Sequence, residues 1–146
     1  MTERYDRPGW GARIFNGAIR RLAEAGISIQ GSTAVQVRGR RSGRLRGVVV
    51  NVLTVDGRRY LVSPRGNTQW ARNARAAGEV EVGPRRRARR HRVAEVPDDA
   101  KPDLFKPYLD RWYWQVKGHI GGLTPRSSRE EMRRAAASIP VFELVG

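Results

Sequence analysis

Between Gly39 and Gly47 the chain reads GRRSGRLRG, four arginines in nine residues around a Ser-Gly pair. Guanidinium groups meet phosphate or carboxylate oxygens through two parallel N–H···O bonds, so such a cluster suits an anionic ligand. Ser42 and Gly43 supply a tight bend whose backbone N–H groups can form an anion nest between Arg41 and Arg46. A solvated hairpin tip fits the same residues, and the turn alone leaves both readings open. A second segment, 63-SPRGNTQWARNARAAG-78, narrows the choice. Its Arg65-Gly66-Asn67 precedes a helical stretch, so an arginine and unpaired N–H groups would meet at a positive helix end. Trp70, on the first turn, can border a planar ring or anchor a core. Asn73 projects from a neighbouring face, as a ligand or as a surface amide.

Other chemistries find little support. There is no cysteine, His91 and His119 are the only histidines, and no metal-ligand spacing is visible, so no metal is expected. Gly-x-Ser-x-Gly and His-Glu-x-x-His are absent, and neither histidine has an evident catalytic partner.

The elements that must position these residues follow from periodicity. Trp10, Ile14, Ala18 and Leu22 recur every four residues, which predicts an amphipathic helix over 10–25 ending near Gly26. From Ser32 the period becomes two. Strands are expected over 33–38, 48–55 and 59–63, with Asp56-Gly57 as a hairpin turn. A helix over 69–77, capped by Asn67 or Thr68 and stopped by Gly78, precedes strands at 79–83 and 86–96. A helical region then runs from Pro97 through 108-YLDRWYWQVKG-118. The second part of 124–138 reads as helix, and 140–146 as a closing strand. The expected fold is mainly β with flanking helices (α+β). It is one domain, with an N-terminal helix over 1–30 packed on a small barrel over 31–146.

From Gly31 to Val145 the chain resembles the deazaflavin-dependent nitroreductase family of coenzyme F420-dependent reductases. The resemblance rests on 39-GRRSGRLR-46, on 63-SPRGNTQWARNARAAGEVEV-82 with its W-x-x-N, and on 139-IPVFELV-145. It implies a split β-barrel of the flavin-reductase, FMN-binding-like type, and hydride transfer from reduced F420 to an unsaturated, quinone or nitro-type acceptor. Carried over by position, Arg41, Ser42, Gly43 and Arg46 would hold the coenzyme's phosphate and acidic tail. Pro64, Arg65 and Gly66 would line the deazaflavin and its ribityl chain, with Trp70 and Asn73 against the same pocket. Tyr108, Trp112 and Tyr113, with Trp114, are the substrate-side candidates. Among them Tyr113 is the candidate catalytic group, donating a hydrogen bond or proton to an acceptor oxygen. The same aromatic face also suits a helix that closes the barrel. Gly118 and Gly121-Gly122 suggest a mobile lid.

Lys+Arg number 29 against 14 Asp+Glu, a formal charge of +15. That field attracts polyanions as well as an acidic cofactor. The run 85-RRRARRHR-92 admits a cationic nucleic-acid-binding module, but no recognition motif accompanies it, so no specific nucleic acid is expected. FMN is the alternative cofactor, and a non-catalytic binder of an anionic cofactor is a third reading. With no signal peptide and no apolar run of spanning length, a cytoplasmic protein is expected. Peripheral membrane contact through residues 10–25 is compatible with their basic flanks. Split barrels occur as monomers or homodimers, and no interface is legible in the chain.

Overall fold

The computed structural model describes residues 32–84 and 86–146. The helix expected over 10–25, and Arg85, lie outside the described residues.

Six antiparallel strands close into a barrel in the order β1-β2-β3-β6-β5-β4. They are β1 (Ser32–Arg38), β2 (Leu45–Val55), β3 (Arg58–Val62), β4 (Glu79–Val82), β5 (Arg89–Glu95) and β6 (Val141–Val145). Three α-helices accompany them: α1 (Gln69–Ala77), α2 (Pro102–Val116) and α3 (Arg129–Ala136). The β-branched run of β2 pairs with β1 along Ser32↔Asn51 to Arg38↔Leu45, and with β3 along Val52↔Leu61 to Val55↔Arg58. Asp56 and Gly57 turn the second hairpin with φ of 51° and 76°, the paired positive values of a type I′ turn that suits strand twist. Closure comes from β1–β4 and β3–β6 pairs, Val35↔Val82 and Leu61↔Phe142.

Alternation along the strands sorts two cores. Inside the barrel lie Val35, Val37, Val50, Leu61, Val80, Phe142 and Leu144, joined by Ala71 and Ala74 of α1. Outside it, Leu53, Tyr60, Val62 and Val141 are covered by Leu104, Phe105, Tyr108, Leu109 and Trp112 of α2 and by Met132 and Ala136 of α3. The antiparallel register gives the barrel two mouths. At the near mouth stand the β1–β2 turn and α1; at the far mouth stand the Asp56–Gly57 hairpin and the β4–β5 turn.

Lys101 joins the helices. Pro102 begins α2, where a missing N–H costs nothing, and the Lys101 side chain turns inward, 3% exposed. Its Nζ donates to the Ala136 carbonyl at 2.8 Å and pairs with Asp98 at 2.8 Å, tying the start of α2 to the end of α3. Ser128 and Glu131 start α3 with a reciprocal capping box.

A second tie crosses from α1 to the barrel. Arg75 donates to both carboxylate oxygens of Glu95 at 2.8 and 2.7 Å, and its guanidinium lies 6.0 Å from the Phe142 ring centroid. The hydrogen bond from Arg75 holds the Glu95 carboxyl below its ordinary pKa, against the opposing effect of burial. Folding lowers this pKa, so the unfolded chain takes up the proton first. The stabilisation is therefore complete above the ordinary glutamate pKa and is lost as pH falls through the lowered folded value. In acid-unfolding titrations Glu95→Gln is expected to flatten that part of the stability profile. An unaltered profile would show that the pair carries no acid-labile stability.

Two strand starts differ by three residues from those read in the sequence. β2 begins at Leu45 because the ladder to β1 continues to Arg38↔Leu45. The return strand begins at Arg89, not Arg86: the Arg87 N–H bonds to the Pro84 carbonyl at 2.8 Å and closes a turn. The charged run is thus divided between turn and strand. Of the two cap candidates it is Thr68 that caps α1, its side chain accepting from the Ala71 N–H.

Candidate coenzyme site at the near barrel mouth

The two segments singled out in the sequence meet in space. Thr68 begins α1 at the near mouth, and Ala71 and Ala74 seat the helix on the inner core beside Val35 and Val37 of β1. The β1–β2 turn leaves the same strand a few residues later. Asn73 lies at the junction, 6% exposed. Its Oδ1 accepts from the Arg40 backbone N–H at 3.1 Å and from Arg40 Nη1 at 2.7 Å, and Nη1 also donates to Gln69 Oε1 at 2.9 Å. Arg40 is therefore committed to holding the turn on the helix. Arg38 is committed too, donating to the Gly43 carbonyl.

Arg41, Arg44 and Arg46 are exposed, and among the described residues their guanidiniums have no acidic partner. Ser42 and Gly43 shape the bend. Gly43 adopts φ of 72°, where a Cβ is strained, and Ser42 Oγ accepts from the Arg44 N–H at 3.2 Å. The nest expected there is largely closed on itself. The Gly39 N–H bonds to the Arg44 carbonyl at 2.8 Å and the Gly43 N–H to the Gly39 carbonyl at 2.9 Å. Anion capacity at this turn therefore comes from guanidinium side chains.

The loop before α1 shows the same economy. Ser63 is fully buried; its Oγ donates to the Gly66 carbonyl at 2.6 Å and lies 3.0 Å from Thr68 Oγ1. The Gly66 N–H returns to the Ser63 carbonyl at 3.2 Å, so it is not offered outward as the sequence suggested. Pro64 and Arg65 are half-buried on the outer side of this closed loop. At the helix start the N–H groups of Gln69 and Trp70 have no partner among the described residues. They carry the positive end of the helix dipole beside the arginine turn. Trp70 is half-buried, tilted against Phe142 with ring centroids 6.0 Å apart. It closes the inner core and keeps part of its ring at the surface.

Arg40, Ser63 and Gln69 are supporting residues that the sequence reading missed. Ser63 carried a signal, a small hydroxyl just before the loop; Gln69 carried none.

The aromatic segment is placed differently. Tyr108 is 2% and Trp112 0% exposed, with ring centroids 5.1 Å apart in the outer core. Burial pushes the Tyr108 phenol well above its ordinary pKa, partly offset by a hydrogen bond with the Asn51 side chain. Its hydroxyl stays protonated at any physiological pH. Asn51 links three elements: its Oδ1 accepts from Ser32 Oγ at 2.8 Å, and its amide nitrogen donates to Gln115 at 2.9 Å. Tyr113 is half-buried and Trp114 is 60% exposed. Of the substrate-side candidates named from the aromatic segment, these two reach the surface.

Asn73→Ala removes the acceptor shared by the part-buried Arg40 N–H and its guanidinium and is expected to cost about 1 kcal/mol of stability. Asn73→Asp, which keeps the acceptor, is expected to retain most of it in denaturant titrations. Equal losses in both variants would refute the tether.

Residues 12–117 match the model of a family described as F420H(2)-dependent quinone reductase. No curated protein matches the chain by sequence. A structure described as a domain-swapped dimer is similar at 17% identity and a TM-score of 0.54, over 92% of this chain and 98% of its own. A conserved hypothetical protein from Mycobacterium tuberculosis is similar at 12% identity and a TM-score of 0.52, over 100% and 86%. A putative 5-nitroimidazole antibiotic resistance protein from Bacteroides thetaiotaomicron is similar at 13% identity and a TM-score of 0.50, over 88% and 77%. These likenesses establish the fold as a split β-barrel of the flavin-reductase-like type. No described helix is long and apolar enough to cross a membrane.

Proposed function

The chain belongs to the F420H(2)-dependent quinone reductase family, and from that premise we propose that it reduces a quinone, or a related unsaturated or nitro acceptor, with coenzyme F420. The observation that carries the site assignment is the exposed set Arg41, Arg44 and Arg46, unneutralised among the described residues on a turn that Asn73 fixes to the start of α1. The coenzyme carries a phosphodiester and a glutamyl tail, and uncompensated guanidiniums beside a helix N-terminus fit both groups. The family assignment favours F420 over FMN.

On this reading Arg41 and Arg46 hold the phosphate and acidic tail, with Ser42 and Gly43 setting the bend that aims them. Pro64, Arg65 and Gly66 form a closed loop against which the ring and ribityl chain rest. The Ser63 hydroxyl keeps that loop shut, so its shape exists before binding and little ordering entropy is spent on it. Trp70 presents the free part of its ring to the pocket. Asn73 acts through Arg40, as a positioning residue.

When bound, the reduced deazaflavin supplies hydride. The chain's own part is to position the acceptor and stabilise the oxyanion that develops on it. Tyr113, the donor candidate named from the chain, is half-buried in the last turns of α2, which end over Asn51 opposite the first residue of β1 and so away from the arginine turn. Tyr108 and Trp112 act from the core by holding α2 in place.

The test is a binding titration with F420 and, separately, with FMN, followed by turnover of reduced F420 with a soluble benzoquinone. Saturable F420 binding and quinone-dependent oxidation are expected. Binding of FMN alone, or no turnover with any acceptor class, would overturn the reading.

A further inference from the structure

Strands β3 to β6 carry arginines on both faces of the barrel, and acids balance them on one face alone. On the outward face Glu79 and Glu81 of β4 stand directly opposite Arg92 and Arg90 of β5. Arg90 also reaches Glu79 at 3.8 Å, and Arg58 of β3 reaches Glu143 of β6 at 3.9 Å. The inward face is marked by Leu61, Val80 and Leu144 of the inner core, and on it alternation places Arg59, Arg89 and His91. Their cross-strand partners are Thr54, Val82 and Val80, none of them acidic. Among the described residues Arg59 and Arg89 have no ion pair.

The inward groups converge at the far mouth. Burial, and then the charges of Arg59 and Arg89, hold the half-buried His91 imidazole below its ordinary pKa. The β4–β5 turn beside them adds exposed Arg86 and Arg87 on a fixed frame. The Gly83 N–H bonds to the Ala34 carbonyl at 2.9 Å, and the Arg87 N–H bonds to the Pro84 carbonyl at 2.8 Å. Asp56, exposed on the neighbouring hairpin, forms no ion pair among the described residues. Like charges gathered at one mouth raise the free energy of the free protein, and an anion bound between them lowers it again. Solubility alone would be served as well by cations on the outward face.

We propose that the far mouth binds a polyphosphate chain, with Arg59, Arg89 and His91 on one phosphate group and Arg86 and Arg87 on the next. Guanidinium forks match phosphate oxygens two at a time, so five cationic side chains exceed what a single phosphate can engage. The chain of phosphates is what this site reads, whether a nucleotide or an inorganic polyphosphate carries it. The site stands at the opposite end of the barrel from the arginine turn and does not depend on the coenzyme reading. A nucleic acid fits less well. A duplex backbone lies along an outward surface, and the outward strand arginines are the ones faced by acids. The β4–β5 arginines also have no aromatic side chain among them on which bases could stack.

The full chain, without coenzyme, is titrated with inorganic tripolyphosphate, adenosine triphosphate and orthophosphate at constant ionic strength, and the His91 ring signals are followed by NMR. His91 reports this mouth and not the arginine turn. Saturable shifts with tripolyphosphate and the nucleotide, and much weaker ones with orthophosphate, are expected. Equal affinity for the first two assigns the site to the phosphates alone, and tighter nucleotide binding assigns it to a nucleotide. Arg59→Gln with Arg89→Gln is expected to weaken binding about a hundredfold, at about tenfold per charge-assisted contact. Both arginines are exposed and unpaired among the described residues, so the fold should survive their loss. Arg58→Gln with Arg90→Gln removes the same charge from the outward face of the same two strands and is expected to leave the affinity nearly unchanged. Equal losses in the two pairs would overturn the proposal. So would orthophosphate binding as tightly as tripolyphosphate, or His91 shifts that duplex DNA alone produces. Failure of the coenzyme reading is separately visible, as an absent F420 titration however His91 responds.

Discussion

Replacing Arg41 and Arg46 together by glutamine is expected to lower the affinity for coenzyme F420 about a hundredfold. Each guanidinium makes a charge-assisted hydrogen bond of about 1.5 kcal/mol to a phosphate or carboxylate oxygen on this reading, and about 3 kcal/mol is a hundredfold in binding. Both side chains are exposed and without acidic partners among the described residues, so their removal leaves no orphaned group in the free protein. The fold should be untouched, with the denaturation midpoint within error of the parent. A matched control carries the same change of charge elsewhere: Arg126→Gln with Arg133→Gln, both exposed in and before α3. Affinities follow from tryptophan quenching at two salt concentrations. A selective loss in the turn variant identifies a phosphate cradle. Equal losses in both would mean that only the overall field of the chain attracts the coenzyme, and the site assignment would fail.

Trp112→Ala is expected to destabilise the fold by about 3–5 kcal/mol, the usual cost of emptying a large aromatic site in a core. Trp112 is wholly buried, in contact with Tyr108 and with the Arg111 guanidinium 4.7 Å from its ring centroid. Domains of this size hold about 5–15 kcal/mol in all, so the variant should show a much lower denaturation midpoint. Trp112→Phe, which keeps most of the volume, is expected to recover most of the loss. Substrate specificity gives the opposing test. Were Trp112 a pocket wall, the alanine variant would keep its stability and change KM among acceptors of different size. Stability lost with KM preserved in the surviving folded fraction places it in the core; the reverse would require α2 to open.

The local elements are legible in the chain itself. Asp56-Gly57 marks its hairpin because few residue pairs accept two positive φ values. α1 runs over Gln69–Ala77 with Gly78 left-handed after it, as its hydroxyl cap and glycine stop require. The β-branched run of β2 and the succession of strands along the chain follow from period and turn residues, whereas the β3–β6 and β1–β4 pairings that close the barrel do not. The motif residues of the candidate coenzyme site are also visible, since their types and spacing survive whatever packs around them.

Tertiary structure decided the rest, because partners distant in the chain leave no local period. Nothing in 39–46 shows that Arg40 is spent on Asn73, whereas Arg41 and Arg46 remain available. A sequence shows donors, but which of them the fold consumes depends on the surfaces that meet. The Gly66 N–H, turned back to Ser63, is a second example. Tyr108, Trp112 and Tyr113 look alike in the chain, yet the helical period sends the first two into the core and leaves the third half-exposed. Lys101 is buried although lysines are rarely so, because the Ala136 carbonyl and Asp98 satisfy its ammonium there. Residue chemistry and short-range spacing lie in the sequence; solvent exposure and the pairing of polar groups arise only when the barrel closes and its helices dock.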